Sequence, residues 1–406
     1  MFITLSIYFV MLLILFWSYC GYTLMLYLID LFNGSAEELD AVIAEGEWAE
    51  VLMIVPCYNE AAMITDKVVN IAAFDYPADK LRVIFVDGGS SDNTQALLAK
   101  ALNHYPERAQ RWQLIESAVA GKIAQMNTAL QLRGDSAFIF CSDVDAQLEP
   151  DALKRMVQVL QQRPEVGVVG ANILPAEAGL DIEKQFWRDQ NAIRYLESVV
   201  HSSSIVVAPG YLFRVDLIAS YPDDCVADDI FIAYSANAQG YRVEYLQQAR
   251  GIETRVPATI RDYIAHKFRK GNAYLIELLR FTYQFPRFEP LWKVMFFTKL
   301  LQFLVCPWLI PYWLVATLSL LLGDAARQEI AILGVLFLFV SLVITSQLIG
   351  RVRRRHQAAE LTPHSRRHLF SAFILNNLVM FFVALTFPFY QQNSRYRKVG
   401  SRTVGR

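Results

Sequence analysis

Long apolar runs at the two ends of the chain frame a more polar middle. No charged residue occurs from position 2 to 29, and further apolar runs cover residues 300–322, 330–350 and 369–390. A helix needs about 20 apolar residues to cross a bilayer. The first run lacks the basic start and short apolar core of a cleavable signal peptide, so it predicts a retained anchor. We therefore expect a transmembrane anchor over residues 1–30 and a transmembrane region over residues 300–391, with buried core helices as the alternative.

The middle of the chain alternates short apolar runs with amphipathic stretches. Runs rich in Val, Ile and Phe predict strands at residues 51–56, 82–86, 112–115, 137–141 and 166–171. Stretches with helical periodicity lie between them at residues 60–73, 93–104, 123–132 and 151–161. Apolar strands that alternate with helices are typical of a mostly parallel sheet covered on both faces. The pattern predicts an α/β domain over residues 31–255, followed by amphipathic, interfacial helices over residues 256–299.

Composition and cysteine placement exclude several classes of protein. Of the 406 residues, 54% are hydrophobic and 19% are charged, whereas a globular chain is about a quarter charged. This composition excludes a disordered protein, a basic nucleic-acid-binding protein and a small disulfide scaffold. The five cysteines are scattered without metal-binding or redox spacing, which fits a reducing cytosol.

The distribution of basic residues predicts how the chain is oriented. The net charge is -1, yet eleven Lys and Arg residues and a single acidic residue follow position 350. A basic cluster at residues 351–355, with Arg366 and Arg367, follows the third run, and the positive-inside rule places such a loop in the cytoplasm. Two predicted spans separate this loop from the α/β domain. We therefore expect that domain on the cytoplasmic side of the plasma (inner) membrane.

The fourth run and the basic tail over residues 392–406 leave the topology open. A full crossing by this run would put the tail outside, against the positive-inside rule. The run contains Asn376, Asn377 and Pro388, which permits an interfacial or re-entrant helix instead. A further crossing hidden within residues 290–322 is the other alternative.

Acidic residues follow the predicted strands, where open α/β sheets bind their ligands. Asp87 ends the second strand, and Asp143 and Asp145 follow the fourth. Two carboxylates directly after an apolar strand are costly unless they meet a cation, and such oxygen ligands suit Mg²⁺ or Mn²⁺ together with substrate phosphates. Asp228 and Asp229 precede a predicted helix, so one can cap it while the other acts as a general base. A solvated loop or a simple helix cap is the alternative at each position.

Together these motifs resemble those of the family 2 glycosyltransferases, membrane-attached enzymes with a GT-A fold. The matching segments lie in the family's order between about residues 51 and 274, and the layout of apolar runs fits as well. They are Val55-Pro56-Cys57-Tyr58-Asn59-Glu60, Asp87-Gly88-Gly89-Ser90-Ser91-Asp92, Gly121-Lys122 before Asn127, Asp143-Val144-Asp145, Ala208-Pro209-Gly210 with Phe213-Arg214, and Asp228-Asp229 with Gly240-Tyr241. Asp228 stands where the family has Glu. The resemblance implies a GT-A nucleotide-sugar-binding domain between N-terminal and C-terminal transmembrane helices.

The resemblance also implies a role for each matching position. Binding of the nucleotide sugar is implied for Pro56, Tyr58, Asn59, Glu60, Asp87, Lys122, Asp143 and Arg269. Asp145 would bind the Mg²⁺ or Mn²⁺ ion at the donor's diphosphate, and Gly210 and Asp228 would lie on the acceptor side. Asp229 would be the catalytic base, taking the proton of an acceptor hydroxyl as that hydroxyl attacks the anomeric carbon. This single displacement would invert the anomeric centre.

One stretch departs from the family pattern. Processive members carry Gln-x-x-Arg-Trp on a helix near the membrane, whereas residues 266–271 here read His-Lys-Phe-Arg-Lys-Gly. Arg269 takes the arginine position, but the tryptophan that usually forms an aromatic surface for the acceptor sugar is missing, which favours a single transfer. Lys267, Arg269 and Lys270 can still bind a diphosphate. A basic helix lying on anionic lipid is the alternative.

The combined prediction is an inverting glycosyltransferase that moves one sugar from a nucleotide sugar, expected to be a UDP-sugar, to a lipid or lipid-linked glycan. No nucleic-acid partner is expected. A processive polysaccharide synthase and a non-catalytic nucleotide-sugar-binding membrane subunit are the alternatives. The predicted spans offer only Gln302, Gln347, Asn376 and Asn377 as candidates for the polar lining of a pore, which argues against a polymer channel.

Overall fold

The computed structural model describes residues 2–33, 47–355 and 369–390. Residues 34–46, the positions of Arg366 and Arg367, and the basic tail lie outside these residues. Eight strands occur in the described part of the chain. They are β1 Val51–Cys57, β2 Leu81–Asp87, β3 Trp112–Glu116, β4 Phe138–Cys141, β5 Ala146–Leu148, β6 Val166–Pro175, β7 Tyr211–Arg214 and β8 Arg242–Glu253.

The described strands form one sheet in the order β3-β2-β1-β4-β7-β6-β8-β5. The strands β3, β2, β1 and β4 run parallel to their neighbours within that group. Strand β7 is antiparallel to β4 and β6, β6 and β8 are parallel, and β5 is antiparallel to β8. The predicted parallel sheet is therefore present in its first half, and the complete sheet is mixed.

Helices cover the sheet and extend away from it. Those of the α/β region and its C-terminal flank are α3 Ile64–Ala72, α4 Thr94–Leu102, α5 Lys122–Leu130, α6 Ala152–Gln162, α7 Asp181–Val200, α8 Asp228–Ala238 and α9 Ile260–Arg280. The strongly apolar ones are α1 Phe2–Phe16, α2 Tyr22–Asn33, α10 Pro290–Leu300, α11 Cys306–Leu321, α12 Ala325–Arg355 and α13 Leu369–Thr386. π-helical turns at Trp17–Gly21 and Leu301–Val305 join α1 to α2 and α10 to α11.

Alternate residues of the central strand face two different cores. Met53 and Val55 of β1 face a core built with α3 and α6. Leu52 and Ile54 face the other side, in a core that also contains Trp292 of α10 and residues of α2, α12 and α13. Because successive side chains of a strand point to opposite faces, one apolar run supplies both cores. The α/β domain and the apolar helices therefore share a continuous hydrophobic core.

Four helices of the described residues are long and apolar enough to cross a membrane. They are Leu5–Phe32, Pro290–Leu321, Ala325–Arg355 and Ala372–Phe389. The number agrees with the sequence prediction, but the second helix begins at Pro290 rather than at position 300. The charge of Lys299 interrupts the apolar run there, and the fold buries it, with its Nζ 2.7 Å from Oε1 of Glu197. The predicted boundary between interfacial and transmembrane regions thus falls inside one helix.

Candidate active site

The site lies where the first parallel strands end. The turn after β1 and the loop after β2 hold each other through side chains: the Asn59 backbone N–H donates to Ser90 Oγ at 2.9 Å, and the Ser91 N–H donates to Asn59 Oδ1 at 2.8 Å. Asn59 has φ 52°, a left-handed conformation that asparagine tolerates better than most residues. Asn59 therefore shapes the two loops, and it does not line the cavity described below.

Asp87 has a similar shaping position. Its carboxylate accepts hydrogen bonds from the backbone N–H groups of Gly89 and Ser90 at 3.0 and 2.9 Å and from Gln95 Nε2 at 2.8 Å. Burial raises the pKa of Asp87, but these hydrogen bonds and that of the Ser90 hydroxyl outweigh it, so the net pKa is lowered. Asp87 is thus a buried anion that orders the glycine loop, and that loop contributes Gly88 and Gly89 to the cavity lining.

One cavity of about 1500 Å³ joins the strand ends to the apolar helices. Most of the predicted site residues line it: Pro56, Tyr58, Glu60, Lys122, Asp143, Asp145, Asp228, Asp229 and Arg269. Gly210 does not line it. That glycine is buried, and a Cβ there would approach Ala171 and Leu148 to 3.3 Å. The structure therefore brings together all predicted positions except Asn59, Asp87 and Gly210, which support the cavity wall.

Lys122 bridges two of the predicted acids. It begins α5 directly after Gly121, whose φ of 121° favours glycine, and its Nζ lies 2.8 Å from Asp143 Oδ1 and 3.0 Å from Asp228 Oδ1. Burial opposes the charge on each group. The ion pairs outweigh it, holding the pKa of Lys122 well above and that of Asp143 below its usual value. Lys122 is therefore a cation at the centre of the acidic cluster.

Asp145 is paired with an arginine that the sequence analysis did not identify. Arg255, just beyond β8, has Nη1 3.2 Å from Asp145 Oδ2 and also forms an ion pair with Glu60. Burial and the charge of Asp143 raise the pKa of Asp145, which Arg255 opposes. The described residues contain no group of three or more His, Cys, Asp or Glu side chains that could hold a metal alone. The carboxylates here fit a divalent cation only if substrate phosphates complete its coordination, as Mg²⁺ sites commonly do.

The two adjacent aspartates at the start of α8 differ in their partners. Each carboxylate oxygen of Asp228 has a partner, since Tyr211 donates its hydroxyl at 2.7 Å to Oδ2 and Lys122 binds Oδ1. Asp229 accepts the backbone N–H of Ala208 at 3.1 Å and lines the cavity. Burial, and next the charge of Asp228, raise the pKa of Asp229 to about 6. A carboxylate in this state can accept a proton near neutral pH, as a general base requires.

The basic residues on α9 differ in whether another side chain of the protein already binds them. Lys267 is buried in an ion pair with Glu183, with its Nζ 2.8 Å from Oε2, which makes it a poor diphosphate ligand. Burial also lowers the pKa of His266 well below its usual value, so this imidazole is neutral. His266, Lys267, Arg269 and Lys270 all line the cavity, and of these Lys267 is held by Glu183. Of the three cations that the sequence analysis considered for diphosphate binding, two therefore remain.

Lys67 of α3 was missed because it lies in an amphipathic helix with no motif around it. Its side chain is fully buried, and its Nζ donates to Ser142 Oγ and to the Ala146 carbonyl oxygen, both at 2.7 Å. Burial lowers the pKa of Lys67 to about 8, although Asp143 and Asp145 oppose the shift. Lys67 therefore fixes both ends of the segment that carries these two aspartates.

The cavity continues between the apolar helices, where polar side chains line it. Gln302, Asn376 and Asn377 contribute to its wall, whereas Gln347 does not. Gln302 Nε2 donates to the Ser18 carbonyl oxygen at 2.6 Å, and Tyr263 of α9 donates its hydroxyl to Asn376 Oδ1 at 2.8 Å. Three of the four polar residues noted in the predicted spans are thus gathered at one passage.

Comparison with known proteins shows which families and curated relatives this sequence is similar to. A family model described as Glycosyl transferase family 2 matches residues 53–221, and one described as Glycosyl transferase family group 2 matches residues 138–385. Poly-beta-1,6-N-acetyl-D-glucosamine synthase of Staphylococcus aureus is 22% identical over 202 residues, which are 48% of this chain and 47% of that protein. Beta-monoglucosyldiacylglycerol synthase of Synechocystis sp. is 26% identical over 211 residues, 49% of this chain and 42% of that protein. The chain spans about half the length of these curated relatives.

A solved structure has the same fold. Mannosyltransferase PcManGT from Pyrobaculum calidifontis, in complex with GDP-Man and Mn²⁺, superposes with a TM-score of 0.62 at 22% identity. The superposition covers 86% of this chain and 99% of that chain. The likeness confirms the predicted GT-A fold, with apolar helices added at both ends of the domain.

Proposed function

Because the chain belongs to glycosyl transferase family group 2, whose model matches more than half of it, we propose that it transfers one sugar from a nucleotide-sugar donor to a lipid or lipid-linked acceptor. The membership confirms the predicted family and enzyme class. The donor is expected to be a UDP-sugar, and the transfer inverts the anomeric centre. The catalytic domain faces the cytoplasm at the plasma (inner) membrane, in line with the basic residues at the C-terminal end of α12.

The single observation that carries this proposal is the continuity of the cavity. It reaches from the carboxylates at the strand ends to Gln302 and Asn376 in the apolar helices. An acceptor embedded in the membrane can therefore reach Asp229 through the cavity, while a water-soluble donor enters from the strand ends. A non-catalytic binding subunit would need neither this passage nor a base within it.

The residues of the chain then divide the reaction among them. Pro56, Tyr58 and Glu60 form the wall beside the donor, while Lys122 and Arg269 bring positive charge to its diphosphate. Asp229 takes the proton from the acceptor hydroxyl, whose oxygen forms the new bond to the anomeric carbon as the nucleoside diphosphate leaves. Asp228 keeps Lys122 in place and, through its charge, keeps the pKa of Asp229 near the pH at which it works. A hydroxyl acceptor and an inverted product follow from this one-step displacement.

A divalent cation completes the proposed site. Asp145, with Asp143 beside it, would hold Mg²⁺ or Mn²⁺ together with the donor's phosphate oxygens. When bound, this ion would supply Lewis acidity to the leaving diphosphate. Arg255 contacts Asp145 Oδ2 at 3.2 Å, so metal binding and the Arg255 ion pair would compete for the same carboxylate.

Nucleotide release tests the proposal directly. Full-length protein in detergent is incubated with a panel of nucleotide sugars and Mn²⁺ or Mg²⁺, and free nucleotide is measured before and after membrane lipid is added. We expect slow hydrolysis of one donor and faster release when lipid acceptor is present. Release no greater than the protein-free blank for every donor and lipid would contradict the proposal and favour a binding subunit.

A processive synthase is the second candidate, because polar side chains line the passage between the apolar helices. Product length separates the two. A single glycosylated lipid supports one transfer, whereas a ladder of oligomers from the purified protein would establish repeated transfer and overturn the single-sugar proposal.

A further inference from the structure

Two aromatic rings of α7 lie beside the α9 stretch that lacks the expected tryptophan, but cations cover them. Lys267 Nζ lies 3.5 Å from the ring centroid of Phe186. Lys270 Nζ and the Arg194 guanidinium carbon lie 5.2 and 5.4 Å from the ring centroid of Trp187. The Trp187 side chain is only 3% exposed. This wall of the cavity therefore presents cations held on aromatic rings rather than an open aromatic surface for a neutral sugar.

The cations on this wall are not equally neutralised. Lys267 has its partner in Glu183, and Glu197 is saturated by Lys299, the Tyr22 hydroxyl and a backbone N–H. In the described part of the chain, neither Arg194 nor Lys270 forms an ion pair at contact distance. The wall therefore retains two cations without a contacting carboxylate, although the charge of Glu197 acts on Arg194 and that of Lys270 acts on Glu253 and Asp229.

Arg194 in particular has unused binding capacity. Its side chain is more than nine-tenths buried and lines the cavity, and one guanidinium nitrogen donates to Asn191 Oδ1 at 2.7 Å. Its Nε has no hydrogen-bond partner. A buried charge is costly unless it is paired and hydrogen-bonded, and a guanidinium matches the geometry of a phosphate. Such a group is suited to an anion that arrives with a ligand.

The position of Arg194 assigns that anion to the acceptor. Helix α7 packs against the apolar helices α2, α12 and α13 as well as against β6 and β8. Arg194 lies one turn before Glu197, which is bound to Lys299 of the second apolar helix. Arg194 and Asp229 both line this cavity, so the cation and the proposed base face one continuous space. The carboxylates proposed to hold the donor are paired instead with Lys122 and Arg255.

We propose that Arg194 and Lys270 form an acceptor subsite that binds the phosphate group of a membrane lipid whose hydroxyl reaches Asp229. This inference rests on the proposed function and narrows its acceptor from any lipid to an anionic one. Uncharged lipids that offer only a hydroxyl would leave both cations without a partner. The subsite also takes the place of the missing aromatic surface, since charge rather than stacking selects the acceptor.

Lipid binding without donor tests the subsite independently of catalysis. Calorimetry on the full-length protein in nonionic detergent compares short-chain phosphatidic acid with short-chain diacylglycerol. We expect at least about tenfold tighter binding of phosphatidic acid, because charge-assisted hydrogen bonds to the phosphate are formed. Arg194→Gln and Lys270→Gln should each remove most of this preference. Arg194→Lys should restore part of it, since the charge returns without the planar fork.

Matched controls separate this role from a folding defect and from donor binding. Arg261→Gln changes an exposed arginine on the same helix as Lys270 and should leave lipid binding unchanged. Arg194→Gln and Lys270→Gln should each bind UDP or GDP as tightly as the unchanged protein, which shows that both are folded and that Lys270 does not hold the donor diphosphate.

Three outcomes would overturn the proposal. They are equal binding of the two lipids by the unchanged protein, a loss of nucleotide binding in Arg194→Gln as large as its loss of phosphatidic acid binding, and competition by inorganic phosphate as strong as that by phosphatidic acid. The last would identify a site for free phosphate rather than lipid. A failure to release nucleotide from any donor would contradict the proposed function while leaving the lipid-binding result intact.

Discussion

The two ends of the cavity differ in how their buried charges are paired. At the strand ends, carboxylates predominate and the chain supplies their cations, Lys122 for Asp143 and Arg255 for Asp145. At the membrane-facing end, Glu197 is matched by Lys299, whereas Arg194 keeps a donor without a partner. A ligand or metal at the first end must exchange with existing ion pairs, while a ligand at the second can add the missing anion. The predictions below test this contrast.

Removing the proposed base should have the largest effect on turnover. Asp229→Asn keeps the size of the side chain but cannot take the proton, so kcat for transfer should fall by about 10²- to 10⁴-fold. The measurement is the rate of product formation at saturating donor and acceptor. Asp216→Asn, at an exposed carboxylate after β7, is the control and should be unaffected. Full turnover by Asp229→Asn would assign the base elsewhere.

Breaking the ion pair at the membrane-facing end should mainly reduce stability. Glu197→Gln leaves Lys299 buried without its counter-charge, which we expect to cost about 3 kcal/mol or more in the free energy of unfolding. Asp75→Asn breaks the exposed pair with Lys154, which has a 2.9 Å contact, and should cost at most about 1 kcal/mol. Thermal unfolding of both variants in the same detergent compares them. Equal losses would show that Glu197 does not neutralise a buried charge.

Removing the competing cation at the strand ends should strengthen metal binding. Arg255→Gln frees Asp145 from its ion pair, so Mn²⁺ should bind the protein saturated with UDP or GDP about tenfold more tightly, in line with the effect of an adjacent opposite charge on a carboxylate. Electron paramagnetic resonance of free Mn²⁺ measures the affinity without any turnover. Arg111→Gln, which breaks a 2.8 Å pair with Glu50, is the control. Weaker Mn²⁺ binding in Arg255→Gln would mean that Arg255 supports the metal site instead of competing with it.

The smallest expected effect is a shift of the pH profile. The pKa of Asp229 is raised to about 6, so kcat/KM should fall as the pH drops through that value and the base becomes protonated. Asp228→Asn removes a neighbouring negative charge, which favours ionised Asp229 and should lower the midpoint by about one pH unit. Initial rates between about pH 4 and pH 8, a range that spans the midpoint by about 2 units on each side, give both profiles. An unchanged or higher midpoint in Asp228→Asn would contradict the proposed coupling.

The local pattern predicted much of the α/β domain but not all of its elements. The strands β1, β2 and β4 agree closely with the apolar runs because both of their faces are buried. Strand β3 also agrees, although Trp112 is its only buried residue. The helix predicted from residue 60 begins instead at Ile64. The preceding turn is held open by a hydrogen bond from the Glu60 N–H to Thr94 Oγ1 at 2.7 Å. That contact joins two loops that are distant in the chain, so helical periodicity could not reveal it.

Helix α7 shows why the membrane-facing end was missed. Its buried side chains include Glu183, Asn191, Arg194 and Glu197 among apolar residues, which obscures the periodicity of an amphipathic helix. Each of these polar groups has a partner from a distant element or faces the cavity. The aromatic residues beside α9 are likewise supplied by α7, so the missing motif tryptophan alone gave an incomplete picture of that wall.

The sequence by itself determined the family, the GT-A domain, the four apolar helices and the acids after the strands. These features depend on local hydrophobic patterning and on motifs whose residues are neighbours in the chain. Only the tertiary structure decided which cation pairs with each acid, that Lys267 forms an ion pair with Glu183, and that the cavity extends from Asp229 into the apolar helices. Those facts depend on side chains from separate strands and helices that meet in a buried space, where an unpaired charge is energetically costly.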